Sequence, residues 1–266
     1  MTAVSDKSHL QREIELHRHI SDDYRIRYGH PFSQFYNRYW NGRLIALLPR
    51  DRQARVLDLG CGTGFLLDDL IQHYPHAVGF DLSESMLAVA REKERVAHRL
   101  VAGDGGQLPF KDACFDAVVC RGSLHHLPEL DTALCEIRRV LAENGSLIFT
   151  EPSNDALLIR AARRVMYHLS DKFDEEDEGY HLTSLVRAME EAGFAPQDVG
   201  RFGFLGYAFA GFPDRLGWLI HLPGSMLLTR LFIAVDKTIE HLPGIRRLCF
   251  QILGAVGKRH ETPEDE

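Results

Sequence analysis

From residue 54 onward, five short apolar runs (ARVLDL, HAVGFDL, AHRLVAG, FDAVVC and GSLIFTE) alternate with three stretches of helical periodicity, GFLLDDLIQHY, SESMLAVAREKE and ELDTALCEIRRVLAENG. A strand that is apolar on both faces must be covered on both, and helices between successive strands supply the cover. The alternation therefore commits the chain to a mainly parallel sheet in a doubly wound α/β fold. A later helix carries Leu182, Leu185, Val186 and Met189 as its apolar stripe, with Thr183 or Ser184 as N-cap and Gly193 as its stop. With 266 residues, 45% of them hydrophobic, there is material for one such domain and a substantial insertion. The acidic run at 171–179 reads as a solvated loop.

Sheets of this kind bind ligands beyond the carboxyl ends of their strands. The first strand runs directly into Gly60, Gly62 and Gly64, a loop bare enough for a ligand to lie against backbone, with helix N–H groups behind it. A dinucleotide fingerprint would need its third glycine at position 65, where Phe65 stands, and no Gly-Lys-Ser/Thr follows for a phosphate loop. The loop points instead to a nucleoside carrying another tail. Asp81 ends the second strand, where this architecture places a carboxylate on ribose hydroxyls. After the third strand Asp104 suits an exocyclic amine and Gly105 offers its N–H to a ring nitrogen. Glycines can also be plain turn formers, Asp58 can cap or orient the loop, and Asp104 can close a local Asx-turn.

Four stretches, VLDLGCGTG (56–64), VGFDLSESML (78–87), AGDGGQLPFKDACFDAVVCRGSLHHL (102–127) and LAENGSLIFTEP (141–152), resemble in order and spacing the class I S-adenosylmethionine-dependent methyltransferases. The likeness is closest to the ubiquinone/menaquinone-biosynthesis (type 11) branch and covers roughly residues 50–200. It implies a seven-stranded Rossmann-like sheet with an antiparallel last strand, and S-adenosylmethionine as cofactor. It places Asp58 and the Gly60–Gly64 loop at the methionine part, Asp81 at the ribose, and Asp104 with Gly105 at the adenine. Leu82 and Met86 flank the ring, and Arg121 stands where the family's backbone meets the methionine amino group. The expected organisation is an N-terminal helical lid (1–50), a cofactor-binding core (51–203), the last strand (247–260) and an acidic tail (261–266), with 204–246 as an insertion where the family usually has a short turn.

Methyl transfer from a sulfonium needs in-line positioning, and a base only where the nucleophile must lose a proton. His125 and His126, beyond the fourth strand, and Glu151, at the end of the fifth, are the candidates; each has a structural alternative as a loop cap or loop anchor. The aromatic segment 24–40 combines packing with lid contact, and Tyr28, His30 and Tyr36 are its candidate acceptor contacts. His17-Arg18-His19 lacks companion metal ligands, and the five cysteines show no C-x-x-C pair, so neither a metal site nor a disulfide framework is expected.

A net charge of −7 argues against nucleic acid as a partner. The N-terminus lacks the apolar core of a signal peptide and no run reaches the length of a membrane span, which points to the cytoplasm. Residues 204–260 nevertheless hold seven basic residues against three acids, a local balance of +4. Within them Leu227, Leu228, Leu231, Phe232, Val235 and Ile239 line one helical face, opposite Arg230, Asp236, Lys237, Glu240 and His241. That apolar face, with Phe209, Phe212, Trp218, Leu219 and Ile220 before it, is expected to pack on the sheet or on a second subunit, or to meet an anionic membrane or a hydrophobic, lipid-like acceptor. A small polar acceptor, or cofactor binding without turnover, are the alternative functions.

Overall fold

The computed structural model describes residues 29–127, 129–157, 159–161, 179–211 and 222–259. Tyr28, His17-Arg18-His19, most of the acidic run, Phe212, Trp218, Leu219, Ile220 and the acidic tail lie outside them.

Seven strands form one sheet: β1 (Val56–Leu59), β2 (Val78–Asp81), β3 (Leu100–Ala102), β4 (Phe115–Arg121), β5 (Leu141–Pro152), β6 (Phe194–Phe202) and β7 (Gln251–Lys258), in the order β3-β2-β1-β4-β5-β7-β6. The pairings from β3 across to β5 are parallel, while β7 runs antiparallel to both β5 and β6. The expected sheet, antiparallel last strand included, is thus present. Strand order reverses between β1 and β4, so their carboxyl ends flank the crevice in which such folds bind ligands.

Alternate residues of the strands feed two cores. On one face Val56, Ala117, Val119, Ile148 and Leu253 pack against α1 (Pro31–Ile45) and α2 (Phe65–His73). On the other Leu57, Val118, Cys120, Phe149 and Ile252 meet α4 (Leu130–Val140) and α5 (Leu182–Glu191). The short α3 (Glu84–Ala90) follows β2 and is capped by Ser83, whose hydroxyl accepts from Met86 N–H. Two element ends differ from the expectation. α4 stops at Val140, because Leu141 already pairs with Phe115 across the sheet. α5 starts two or three residues earlier than a Thr183 or Ser184 cap would allow; His181 is its N-cap residue, and the distant Asp155 carboxylate accepts from Leu182 N–H at 3.2 Å. Gly193, at φ +85°, ends that helix as expected.

The insertion between β6 and β7 contains a π-type turn (Tyr207–Gly211), the helix α6 (Ser225–Ile239) and a 3₁₀ turn (Ile245–Leu248). The helix is rotated part-way from the sequence expectation: Leu228, Phe232, Val235 and Ile239 are half-buried and Arg230, Lys237 and His241 exposed, as expected, but its inward centre lies elsewhere. Thr229, Ile233 and Asp236 are buried, whereas Leu227 and Leu231 are 72% and 54% exposed. The cause is electrostatic. The chain from Phe204 to Gly206 presents three successive N–H groups with no strand to join, and the Asp236 carboxylate accepts all three at 3.0, 2.8 and 3.0 Å. Glu240 follows one turn later, 2.8 Å from Arg43 of α1. Two acids pointing inward fix the rotation of the helix and leave Leu227 and Leu231 outside.

Tyr36 is also a core residue: fully buried, it packs among Tyr39, Trp40 and Phe202 at ring distances of 6.2–6.5 Å, so packing explains it without an acceptor contact. His30 is half-buried at the N-cap of α1 and stacks on Phe32. Substituting Asp236→Ala strands the three N–H groups and is expected to cost about 3 kcal/mol or more; chemical denaturation of the two proteins measures it, and a loss within about 0.5 kcal/mol contradicts the anchoring role.

Candidate active site

The loop after β1 is shaped by its neighbours. Gly60 and Cys61 donate their N–H groups to Phe80 O at 2.8 and 3.0 Å, and Gly62 N–H donates to Asp81 Oδ2 at 2.7 Å. The other Asp81 oxygen accepts from Ser83 N–H at 2.8 Å. One carboxylate thus joins the ends of β1 and β2. Gly60 lies at φ +77°, and a Cβ there would fall 2.4 Å from Ser123 Cβ, so packing as well as conformation demands glycine. Gly62, at φ +51°, faces open space instead. Bare backbone at that point is accessible to a ligand, in a loop that packs tightly on its other side.

Asp58 lies beneath the loop and is 1% exposed. Its carboxylate accepts from Leu67 N–H in the first turn of α2, whose own N-cap, Gly64, has no side chain to do so. Oδ2 is left without a hydrogen-bond partner. Burial pushes the Asp58 carboxyl up to about 7, against the opposing pull of the nearby Arg121 guanidinium and with a further push from Asp81. That oxygen is free to accept from a cation or a donor that the fold itself does not supply. Arg121 reaches from the end of β4 to α1: its guanidinium lies 4.3 Å from the centre of the Trp40 ring and donates to Asn37 Oδ1, while Nε has no partner. Asn37 is held in turn by Ser33 O and Ser33 Oγ at 3.0 and 3.2 Å.

On the opposite side, β5 ends in Glu151, which is fully buried. Its Oε1 accepts from Ser123 N–H at 3.1 Å and Leu124 N–H at 2.8 Å, and its Oε2 is 2.6 Å from His125 Nδ1. His125 and His126 form part of a 3₁₀ turn (Leu124–His126) and their rings lie 4.1 Å apart. Glu151 therefore anchors the loop and aligns an imidazole. Tyr180, which the sequence did not single out, joins them: its hydroxyl donates to Leu124 O at 3.3 Å, and burial followed by the nearby Glu151 charge pushes its phenol well up. Nothing in the local sequence marks it, because it arrives through a single bridge to Ser153.

Further along the carboxyl edge, Met86 is buried and Leu82 half-buried after β2. Asp104 is exposed, and its Oδ1 accepts from Gly106 N–H at 2.8 Å, the Asx-turn weighed for it. Gly105 is buried, where a Cβ would fall 2.6 Å from Leu127. The structure thus gathers Asp58, the glycine loop, Asp81, Arg121, His125 and Glu151 around the β1–β4 crevice, adds Asn37 and Trp40 from α1, and leaves Tyr36 in the core.

A family model described as a methyltransferase domain matches residues 57–149. A C-methyltransferase of ubiquinone/menaquinone biosynthesis from Methylobacterium nodulans is 31% identical over 185 residues, covering 60% of this chain and 73% of that protein. The chain belongs to the class I S-adenosylmethionine-dependent methyltransferases. A malonyl-[acyl-carrier protein] O-methyltransferase from Legionella pneumophila is 42% identical over 100 residues, but these span only 36% of this chain and 35% of that protein. Among solved structures, a methyltransferase from Thermotoga maritima, titled a possible histamine N-methyltransferase, superimposes with a TM-score of 0.61 at 23% identity, over 71% of this chain and 85% of that one, a likeness of fold.

S-adenosylmethionine carries an ammonium and a ribose, and the orphaned Asp58 Oδ2, the open backbone at Gly62 and the Asp81 carboxylate suit them. A carboxyl held near 7 when folded but near 3.8 when unfolded weakens the folded state as pH rises between those values. Asp58→Asn is therefore expected to raise stability at pH 8 by roughly 2 kcal/mol while lowering cofactor affinity at least tenfold. In the unsubstituted methyltransferase, affinity should fall by about tenfold from pH 7 to pH 5.5 as the carboxyl takes up its proton, a dependence lost in the variant. Calorimetric titration across that range, with thermal unfolding of both proteins, measures it.

Proposed function

We propose that this methyltransferase transfers a methyl group to an oxygen or carbon of a hydrophobic, lipid-like acceptor bearing an ionisable hydroxyl, with His125 as the base. The observation that carries the proposal is the 2.6 Å contact between His125 Nδ1 and the buried Glu151. With its Nδ1–H directed at that carboxylate, neutral imidazole has Nε2 as its basic nitrogen, and the charge that develops on accepting a proton is met by Glu151. Bound S-adenosylmethionine supplies an electrophilic methyl and departs as S-adenosylhomocysteine. His125 takes the hydroxyl proton, and the resulting electron pair forms the new bond to the methyl, at oxygen or at a conjugated carbon. In the carbon case the proton on that carbon is lost afterwards. Of the relatives named above, the quinone-biosynthesis enzyme fits this chemistry by its C-methylation.

In the same reading Asp58 takes the cofactor's ammonium, Asp81 its ribose hydroxyls, and Asp104 with Gly105 its adenine, between Leu82 and Met86. Arg121 keeps α1 over the methionine end. His126 supports His125 by ring contact.

The test uses tritiated S-adenosylmethionine with a lipid extract and an aqueous extract as acceptor sources. Label is expected to appear in organic-soluble product, and label confined to water-soluble product contradicts a hydrophobic acceptor. His125→Ala should then lower kcat by about a hundredfold or more, remove the acid limb of the pH–rate profile and leave cofactor affinity in place. Glu151→Gln should lower kcat in the same direction. Near-normal turnover in His125→Ala would show that positioning alone accounts for the rate.

A further inference from the structure

The rotation of α6 leaves a surface that the enzyme's methyl-transfer chemistry does not use. Leu227 and Leu231, one turn apart, project outward at 72% and 54% exposure, and Arg230 between them lies 5.3 Å from the ring centre of Phe35, itself 37% exposed on α1. Beyond the helix, Leu242 and Ile245 are 41% and 46% exposed. Arg230, Lys237, Arg246 and Arg247 are all exposed, and residues 222–247 contain only two acids, Asp236 and Glu240. Both are turned inward, Asp236 onto three backbone N–H groups and Glu240 onto Arg43. A segment with a formal balance of +2 thus shows solvent four cations interspersed with aliphatic side chains, on a protein whose net charge is −7.

We propose that this face of α6 and the following turn is a docking surface for an anionic lipid bilayer, with the leucines entering the headgroup boundary and the four basic side chains meeting lipid phosphates. Charge decides the occupant. A second copy docked on the same patch by two-fold symmetry would set these four cations against their own images. Protein interfaces also tend to exclude lysine from their cores, whereas long basic side chains around a shallow apolar strip suit the bilayer boundary. Among the described residues no helix is long and apolar enough to cross a membrane, and α6, at 15 residues, would lie along the surface. The inference deepens the reading of a lipid-like acceptor and rests on it for its purpose. Its evidence is separate.

Co-sedimentation with phosphatidylglycerol-rich vesicles and with phosphatidylcholine vesicles tests it on the full chain, with no turnover measured, so that its failure and the failure of the proposed reaction are told apart. The protein should sediment with the anionic vesicles at low salt, weakly with the neutral ones, and be released as salt rises. Leu227→Gln/Leu231→Gln and, separately, Arg246→Glu/Arg247→Glu should each weaken anionic-vesicle binding at least tenfold, with circular dichroism and cofactor affinity unchanged, as suits exposed positions. Absence of vesicle binding by the unsubstituted protein would overturn the proposal, as would binding that both variants retain. A dimer in solution that Leu227→Gln/Leu231→Gln converts to monomer would overturn it too, by showing a protein interface instead.

Discussion

The carboxylate of Glu151 holds the carboxyl edge of the sheet together. By accepting from Ser123 and Leu124 N–H it turns the chain after β4 back toward the crevice, and that turn carries Ser123 against Gly60, where its hydroxyl donates to Leu59 O at 2.7 Å. The glycine loop is thereby braced from one side by the β4 loop and from the other by Asp81 at the end of β2. Loops from β1, β2, β4 and β5 form one hydrogen-bonded rim. A buried carboxylate costs several kcal/mol to desolvate unless its oxygens are occupied, and here each oxygen faces a donor.

Asp58 and Asp236 use the same device differently. Asp236 has three donors in place and serves as an anchor. Asp58 has one oxygen engaged and one waiting, so its burial is compensated only in part. Asp236 is satisfied within the fold, whereas Asp58 keeps one oxygen for which the fold supplies no donor.

Much of the core was legible in the sequence because its signals are local. The glycines follow their strand directly, and Asp81 and Asp104 sit at strand ends that the apolar runs mark out. What escaped the sequence depends on partners far away along the chain. Asp155 caps α5 from 27 residues upstream of Leu182, so Thr183 and Ser184 looked like better caps. Asp236 reaches back 30–32 residues to the turn it satisfies, and a helical wheel that assumes acids face water mis-sets the rotation of α6. Nothing local marks Asn37 or sets Trp40 apart from the other aromatics of its segment; Arg121 crosses to them from 81–84 positions away. Periodicity ranks side chains by affinity for water, and each of these cases was decided by a backbone group or a charge wanting a partner.

The place of β7 also bears on the order in which the protein is made. It is the last strand in sequence but lies between β5 and β6 in space, supplying β6 with its neighbour in the sheet. A growing chain therefore emerges from the ribosome with β6 complete and its hydrogen-bonding edge open, and it must release the whole of 203–250 before Gln251–Lys258 can close the gap. The sheet closes from the middle, with its final strand as the key piece.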